Sequence, residues 1–398
     1  MSKGYLVTNR KEECFGCESC AQICPKVAIE MSEDEDGFRY PVIDNKKCIH
    51  CSLCNKSCPV ENPPHRFKDE KYVFGGYVLD KKILEESTSG GAFSAIAEVY
   101  CVTNYAIYGA TANKLDVYHT RITDKSELSL LRKSKYSQSS IRDSYRLARK
   151  DLLEGKSVLF SGTPCQIAGL KTFLKSVPQD KLLTVEVVCE GVPSPLYFRK
   201  FNDYCISRYG GEIEKIDYRD KDQNKWDFQV MAYKVKGKLH KIDRWFNPFW
   251  SIWLNHLMSR PSCYSCPFAT QERVADIALG DLWGVHIYCP DLYGRNGGSS
   301  LVTANSKKGK AVVKEAESLM FGHELSFDTA LKYQSPMRKH IDPNPKRAEF
   351  MQDLRSDLSY TQINKKWAKK PSIKLLWVKY IWGNRQKVAL WNILHKEK

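Results

Sequence analysis

The chain has 398 residues, of which 42% are hydrophobic and 12% aromatic, which excludes a wholly disordered protein and indicates two or more domains. The formal net charge is +16, so nucleic acid, an anionic membrane or bound anionic cofactors are candidate counterparts of the excess lysine and arginine. There is no run of about 18 apolar residues and no apolar N-terminal segment, so we expect neither a transmembrane helix nor a secretory signal, and a cytoplasmic protein.

Two copies of one cysteine pattern, Cys-x2-Cys-x2-Cys-x3-Cys-Pro, occupy residues 14–25 and 48–59. In two-cluster ferredoxins, three cysteines of one copy and the last cysteine of the other hold each [4Fe-4S] cluster. Zinc also binds Cys-x2-Cys pairs, but four zinc ligands do not explain the same rhythm twice. The spacing therefore predicts one cluster on Cys14, Cys17, Cys20 and Cys58, and a second on Cys48, Cys51, Cys54 and Cys24.

After a proline-rich linker that begins at Pro59, the pattern changes at Tyr72 to alternating strands and helices. Strands are predicted at 72–79, 105–109, 157–160 and 182–188, and helices at 92–100, 141–153, 166–174 and 195–209. An antiparallel pair is predicted at 226–235 and 238–244, around Lys236 and Gly237. We therefore predict an α+β ferredoxin module (residues 1–64), then an α/β domain over 70–348 and a basic, tryptophan-rich helical segment over 349–398.

Seven cysteines lie outside the ferredoxin pattern. Four stand in loop settings suited to a third [4Fe-4S] cluster, with small buried hydrophobes as the alternative: Cys165, Cys189, Cys263 and Cys266. Cys165 follows a strand and a turn in which Thr163 is a helix N-cap and Pro164 the first helical residue, and a helix N-terminus favours an anion. We expect Cys101 and Cys205 to be buried core residues, whereas the pattern leaves Cys289 undecided.

Two further segments suit a nucleotide cofactor. Residues 87–91, Ser-Thr-Ser-Gly-Gly, precede a helix, where backbone N–H groups and hydroxyls favour a phosphate. Residues 132–139 offer cations, an aromatic ring and amide donors. The alternatives are an ordinary helix cap and a solvated charged surface, and neither segment has the G-x-G-x-x-G motif of a Rossmann unit.

These segments together resemble the coenzyme F420 hydrogenase/dehydrogenase beta subunit family. The resemblance runs from about Tyr72 to Arg347 and includes the string GTPCQIAGL at 162–170, CEGVPSP at 189–195, RPSCYSCPF at 260–268 and DIALGDLWG at 276–284. It implies a catalytic domain that binds FAD in a fold distinct from the Rossmann type, with a [4Fe-4S] cluster near the flavin.

Carried onto this chain, the resemblance implies roles for particular residues. The candidate ligands of the third cluster are Cys165, Cys189, Cys263 and Cys266. The FAD candidates are Ser87, Ser89, Gly90, Gly91, Lys135, Tyr136, Gln138, Ser139 and Thr163. Asp281 and Trp283 would shape the site. Family members usually have histidine where this chain has Glu190, which could accept a proton or face solvent; Glu190 and Asp281 are the catalytic candidates.

The last part of the chain, residues 365–398, holds ten Lys or Arg, one acid and four tryptophans. We favour a C-terminal helix that packs its aromatics on the α/β domain, with peripheral contact at the inner face of a membrane as the second interpretation.

The leading functional prediction is an FAD-dependent iron-sulfur oxidoreductase that acts on an organic substrate, deazaflavin-type or other, with a redox partner protein or a ferredoxin-like donor or acceptor. The alternative is an electron-transfer or assembly subunit without its own catalysis, serving a partner enzyme, as in surface polysaccharide synthesis. Bacterial relatives with an appended two-cluster module are associated with that process. A nucleic-acid partner is suggested by charge alone and is not expected.

Overall fold

A computed structural model describes residues 3–69, 71–221, 226, 229–293 and 297–394. In the ferredoxin module, β1 (Ile29–Glu33) pairs antiparallel with β2 (Arg39–Ile43), with Ile29 opposite Ile43. The helices α1 (Tyr5–Thr8), α2 (Ser19–Ile23) and α3 (Leu53–Lys56) are short. Helices α2 and α3 lie within the two cysteine repeats, which precede and follow the hairpin in the sequence.

The remaining chain alternates strands and helices, as predicted. The strands are β3 (Tyr72–Val78), β4 (Tyr105–Asn113), β5 (Asp116–Ile122), β6 (Ser157–Gly162), β7 (Leu182–Val187), β8 (Ile213–Asp220), β9 (Val230–Val235), β10 (Lys238–Ile242), β11 (Ile277–Asp281), β12 (Ser300–Ala304) and β13 (Met320–Glu324). The helices before the C-terminal segment are α4 (Lys81–Glu85), α5 (Ala92–Tyr100), α6 (Ser144–Leu153), α7 (Pro164–Phe173), α8 (Pro195–Tyr209), α9 (Pro248–Trp253), α10 (Val285–Tyr288), α11 (Lys307–Ala316) and α12 (Phe327–Leu331). The C-terminal helices are α13 (Arg347–Arg355), α14 (Tyr360–Trp367), α15 (Ile373–Leu376) and α16 (Asn384–Leu394), with a π-helical stretch at Trp377–Ile381.

An eight-stranded mixed sheet forms the centre, in the order β13-β3-β12-β11-β7-β6-β4-β5. Strands β4, β6, β7 and β11 are parallel, whereas the flanking strands pair antiparallel. Alternate residues of β6 enter different cores: Leu159 packs with α5 and α11, while Val158 and Phe160 pack with α6 and α7. Both faces are therefore covered, which is why the central strands are almost continuously apolar. This confirms a ferredoxin-like module followed by an α/β unit with a large mixed sheet.

A second packed unit surrounds the three-stranded sheet β10-β9-β8. The predicted pair is present, because β10 pairs antiparallel with β9, and Lys236 and Gly237 make the turn with positive φ. The predicted first strand starts at 230 rather than 226, and residues 227 and 228 lie outside the described part. Helices α8, α9, α13 and α14 complete this unit. Tyr197 Oη donates to Asn364 Oδ1 at 2.8 Å, so the segment after 349 begins inside the globular fold.

The ferredoxin module packs on helices α6 and α7. Arg146 Nε donates to Gln22 O at 2.9 Å, and Thr172 Oγ1 donates to Ser57 O at 2.6 Å. A close approach occurs at Gly169, where an added Cβ would lie 2.9 Å from both Cβ and Sγ of Cys17. Glycine at 169 is what allows the first cysteine loop to rest on α7.

Replacing Gly169 with alanine should therefore push this loop away from α7. We expect a loss of about 1–3 kcal/mol, the usual cost of overpacking, together with loss of iron from the first ferredoxin site. Thermal unfolding and iron content measure the two effects. Gly211→Ala is the matched control, because the nearest atoms there belong to the flexible Lys236 side chain. Equal behaviour of the two variants would show that the contact at Gly169 is unimportant.

Among the described residues, no helix is both long enough and apolar enough to span a bilayer.

Candidate functional site

The carboxyl ends of three adjacent parallel strands define the site. Strand β6 leads into Thr163 and α7, β7 leads into Cys189 and Glu190, and β11 ends at Asp281. Open α/β sheets bind ligands at such strand ends, because parallel strands bring their following loops to one edge. Three sequence motifs that are distant along the chain therefore meet at one place.

A cavity of about 490 Å³ opens at this edge. This volume lies within the range of about 300–1,000 Å³ typical of cofactor and ligand sites. Eight of the nine FAD candidates line it, together with both catalytic candidates and Trp283: Ser87, Ser89, Gly91, Lys135, Tyr136, Gln138, Ser139, Thr163, Glu190, Asp281 and Trp283. The structure thus brings together residues that were predicted from separate segments.

Gly90 is the exception, because it is absent from the cavity lining. A Cβ at this position would lie 2.2 Å from Gly76 O and 2.5 Å from Ser300 N. Glycine is required here so that the loop can pack against β3 and β12. Gly90 therefore shapes the loop, and its neighbours face the cavity.

The two predicted nucleotide segments are in contact with each other. Ser134 N donates to Thr88 Oγ1 at 2.8 Å, and Ser89 Oγ donates to Ser299 O at 2.6 Å. Gly91 has φ +82, a left-handed conformation at the start of α5 that favours glycine. These contacts hold the hydroxyl-rich loop against the cavity wall.

The cations of residues 132–135 are already paired within the protein. Arg132 Nη1 bonds Glu86, Lys133 Nζ bonds Asp217, and Lys135 Nζ donates to Ala110 O at 2.7 Å. Burial lowers the pKa of Lys135 to about 8. Lys135 consequently fixes the loop through carbonyl oxygens, a role that the sequence pattern did not distinguish from phosphate binding.

A polar network lies at the end of β6. His119 Nδ1 is 3.0 Å from Ser139 Oγ, and Nε2 is 2.9 Å from Ser161 O. Gln166 Nε2 donates to Ser139 Oγ at 2.9 Å, and Gln166 Oε1 accepts from Thr163 N at 3.0 Å. The predicted N-cap at Thr163 and the proline at the first helical position are both present. The network links β5, the 132–139 segment and α7.

His119 makes this network sensitive to pH. Burial lowers its pKa from 6.5 to about 4, so a falling pH protonates the unfolded chain first. This contribution to stability is complete above pH 6.5 and is lost as the pH falls from 6.5 toward 4. Between about pH 7.5 and about pH 5 we expect a loss of about 2 kcal/mol, measured as a fall in unfolding temperature. His119→Gln should flatten this pH profile, whereas the exposed His65→Gln should leave it unchanged; a flat profile in the unaltered protein contradicts the prediction.

Asp281 is held by partners that the sequence did not reveal. Arg219, which is buried, donates from Nη1 and Nη2 to the Asp281 carboxylate at 2.6 Å and 3.2 Å. Trp226 Nε1 donates to the same carboxylate at 3.2 Å, and its ring stacks on Trp283 at 5.4 Å. A carboxylate held in this way suits the building of a cavity wall better than the removal of a proton.

Glu190 is the more available carboxyl group. Glu190 lines the same cavity as Asp281 and Arg219. Burial raises the pKa of Glu190, and the positive charge of Arg244 opposes this shift. Another wall is aromatic, because Tyr136 packs edge-on against Trp250 at 5.0 Å and Trp253 at 5.1 Å. The cavity thus combines an apolar wall with two carboxyl groups, of which Asp281 is paired with the buried Arg219, and with the half-buried Arg244.

The four remaining loop cysteines line one smaller cavity: Cys165, Cys189, Cys263 and Cys266. The strand-end loop is paired to the Cys-x2-Cys segment by two backbone hydrogen bonds, Ser194 N to Met258 O at 2.8 Å and Arg260 N to Val192 O at 2.9 Å. Burial, reinforced by the neighbouring cysteines, raises the pKa of the Cys263 thiol to about 12. Four thiols gathered in this way fit a cation-rich centre such as [4Fe-4S], which stabilises the thiolates.

The ferredoxin cysteines separate into the two predicted groups. One small cavity is lined by Cys14, Cys17, Cys20 and Cys58, and another is lined by Cys24, Cys48, Cys51 and Cys54. Each group combines three cysteines of one repeat with the last cysteine of the other. The donor sets fit two [4Fe-4S] clusters, and the exchange of the fourth ligand arises because α2 and α3 lie side by side.

Arg260 connects the first ferredoxin loop to the other sites. Its fully buried guanidinium donates to Cys14 O at 2.9 Å, Gln138 Oε1 at 2.9 Å and Arg39 O at 3.0 Å. Gln138 in turn donates to Phe15 O at 2.9 Å. Gln138 therefore ties the cavity to the ferredoxin loop. The positive charge of Arg260 lies between two sets of cysteines, the first ferredoxin set and the third set. Each set would carry an anionic cluster.

The other three cysteines lie away from the cysteine-lined cavities. Cys101 and Cys205 are fully buried in apolar cores, as predicted. Cys289, which the sequence left undecided, is buried and donates from Sγ to Asp291 Oδ1 at 3.2 Å. None of the three lines a cavity with the cysteines described above.

Comparison with known proteins identifies two family profiles in the chain. The profile for the C terminus of the coenzyme F420 hydrogenase/dehydrogenase beta subunit matches residues 155–321. The profile for the 4Fe-4S dicluster domain matches residues 13–62. The first match covers the third cysteine group and the strand ends, and the second covers both cysteine repeats.

Two curated relatives match short segments of this chain, and one solved structure matches most of it. An uncharacterized polyferredoxin-like protein of Methanocaldococcus jannaschii is 41% identical over 58 residues, which are 13% of this chain and 34% of that protein. Ketoisovalerate oxidoreductase subunit VorC of Methanothermobacter marburgensis is 38% identical over 64 residues, 16% of this chain and 80% of the relative. A solved F420-reducing [NiFe] hydrogenase complex from Methanosarcina barkeri includes a chain with 16% identity and a TM-score of 0.44, covering 72% of this chain and 90% of that chain. This chain thus spans about a third of the length of the polyferredoxin-like relative.

Proposed function

We propose that this chain, which belongs to the coenzyme F420 hydrogenase/dehydrogenase beta subunit family and carries an N-terminal 4Fe-4S dicluster domain, is an iron-sulfur flavoprotein oxidoreductase. It would couple one-electron transfer to hydride chemistry on an organic substrate, deazaflavin-type or other. The division into a ferredoxin module at 1–64, a catalytic domain at 70–348 and a C-terminal segment at 349–398 is part of this proposal.

One observation carries the proposal: residues 189–192 line both the large cavity and the third cysteine site. A cofactor in the large cavity would therefore be separated from the third site by a single loop. The cavity is also connected to the first ferredoxin loop through Gln138 and Arg260. This contiguity is what a converter between one-electron and two-electron carriers needs.

The residues present fit the proposed groups. The three cysteine sets would hold [4Fe-4S] clusters, and the lining residues Ser87, Ser89, Gly91 and Thr163 would contact FAD. When bound, these groups supply one-electron transfer and hydride exchange, respectively. The chain itself supplies position, burial and charge.

Within the cavity, two carboxyl groups have different roles. Glu190 would hold or release a proton at its carboxyl oxygen, because burial raises its pKa and it lies beside the third site. Asp281 would orient Arg219, whose guanidinium is 5.5 Å from the centre of the Trp283 ring. The aromatic wall would exclude water from the reacting face.

The anaerobic reductive titration of the purified chain tests this proposal. FAD takes up two electrons and each cluster one, so we expect about five electron equivalents per chain. Turnover with coenzyme F420 would then identify or exclude the deazaflavin substrate. About two equivalents, without flavin bleaching, would contradict the proposal and favour an electron-transfer or assembly subunit.

The partners follow from the relatives. The matched ferredoxin-type relatives include oxidoreductase subunits such as VorC, so a redox partner protein is proposed here as donor or acceptor. The proposed location is the cytoplasm, with peripheral contact at the inner face of a membrane through the C-terminal segment.

A further inference from the structure

The C-terminal segment beyond α14 presents apolar side chains to solvent. Ile373 is 87% exposed, Trp377 58%, Ile381 55% and Trp382 53%. We call these four residues the tail surface. Four large, exposed apolar side chains within residues 373–382 are the kind of patch that marks an interaction site.

The expected packing of the tryptophans holds for Trp367, whereas Trp377 and Trp382 are exposed, and the side chain of Trp391 lies outside the described part of the chain. Trp367 packs edge-on against Phe350 at 5.4 Å, and its Nε1 donates to Asp353 Oδ2 at 2.7 Å. Val388 is also buried. The tail surface, by contrast, is left without a covering element in the described part of the chain, so the sequence prediction is wrong for residues 373–382.

The charge around the tail surface selects its partner. Residues 358–396 contain nine Lys or Arg and no Asp or Glu. Lys370 and Lys374 are exposed beside the apolar residues. Tryptophan and isoleucine with flanking lysines are typical of segments that lie in the interface of an anionic bilayer. Nucleic acid would use the lysines but would leave the isoleucines exposed.

The tail surface is fixed to the wall of the large cavity. Tyr380 Oη donates to Asp243 Oδ2 at 2.6 Å, and Lys379 Nζ lies 5.1 Å from the centre of the Trp245 ring. Between these two contact residues, Arg244 lines the cavity. Docking of the tail surface would therefore bring this wall of the cavity to the membrane.

We propose that the tail surface docks on an anionic lipid bilayer and places the wall around Arg244 beside it. The inference deepens the peripheral-contact part of the proposed function. Binding to lipid vesicles is measured independently of iron content, flavin content and turnover. A failure of membrane docking can therefore be distinguished from a failure of the redox proposal.

Sedimentation of the full-length holoprotein with vesicles tests the proposal. We expect binding to phosphatidylglycerol–phosphatidylcholine vesicles, weak binding to phosphatidylcholine alone, and release by salt. Each lysine near an anionic surface raises the affinity for the membrane roughly fivefold. The double variant Lys370→Glu with Lys374→Glu should therefore bind anionic vesicles about twentyfold more weakly, or weaker still. Brominated lipids should quench the tryptophan fluorescence of the unaltered protein. The quenching should be smaller in the double variant Trp377→Phe with Trp382→Phe.

Matched controls separate docking from general exposure. Trp377→Ala with Ile381→Ala should abolish vesicle binding, whereas Ile206→Ala with Leu239→Ala, which alters exposed apolar residues elsewhere, should not. Absence of binding to anionic vesicles at low salt would overturn the proposal. So would lipid-independent self-association that disappears in the tail variant, because a second copy would then cover the surface.

Discussion

Replacing Cys263 with alanine is expected to lower the iron content from about twelve to about eight atoms per chain, by four per [4Fe-4S] cluster. The four cysteines of the third site come from three separate segments of the chain, and Cys263 N is itself bonded to Arg260 O at 2.9 Å. With one of four ligands gone, an intact cluster should not persist. The two ferredoxin sites use other cysteines and should keep their iron.

The control for this variant is Cys205→Ala. Cys205 is fully buried but packs in the core of the unit around β8, β9 and β10, away from the cysteine cavities. We expect about twelve irons to be retained, by four for each of three clusters, at a small cost in stability. Iron and sulfide analysis of both variants decides the matter. Full iron in Cys263→Ala would remove the third site from the proposal.

Replacing Arg260 with methionine should be strongly destabilising and should also change redox behaviour. The substitution leaves three acceptors without their donor, namely Cys14 O, Arg39 O and Gln138 Oε1. Each buried acceptor left without a donor costs about 1–3 kcal/mol. The lost cation lies beside the first ferredoxin set and the third set of cysteines. The reduction potentials of the clusters on these two sets should therefore fall by on the order of 100 mV.

Arg260→Lys separates the two effects. Lysine keeps the positive charge but cannot reproduce three donors in a fixed plane, so stability should drop while the potentials stay near their original values. Spectroelectrochemical titration measures the potentials, and thermal unfolding measures the stability. Unchanged potentials in Arg260→Met would show that the guanidinium is purely structural.

The site was predictable where local sequence determines it. The cysteine rhythm separates two ligand groups, and the turn at Thr163 and Pro164 starts a helix, because spacing and capping are local properties. The helices at 92–100 and 195–209 have the predicted bounds. The α/β pattern placed Cys165 and Cys189 after predicted strands, whereas β11, which ends at Asp281, was not among the predicted strands.

Other parts depend on contacts distant in sequence. Arg219 meets Asp281 only because β8 lies next to the large sheet. Lys135 donates to the carbonyl oxygen of Ala110, and the sequence around Lys135 does not predict this partner. Gly90 belongs to a glycine-rich loop, yet only the packing of β3 and β12 shows that it faces away from the cavity. Composition likewise could not show where the C-terminal tryptophans change from buried to exposed.

The iron, sulfide and flavin content of protein purified without oxygen tests the proposed flavoprotein most directly. The cavity and the three cysteine sites predict about twelve irons, by four per cluster, and one FAD per chain. About eight irons and no flavin would contradict the proposal and leave the chain as a two-cluster electron carrier.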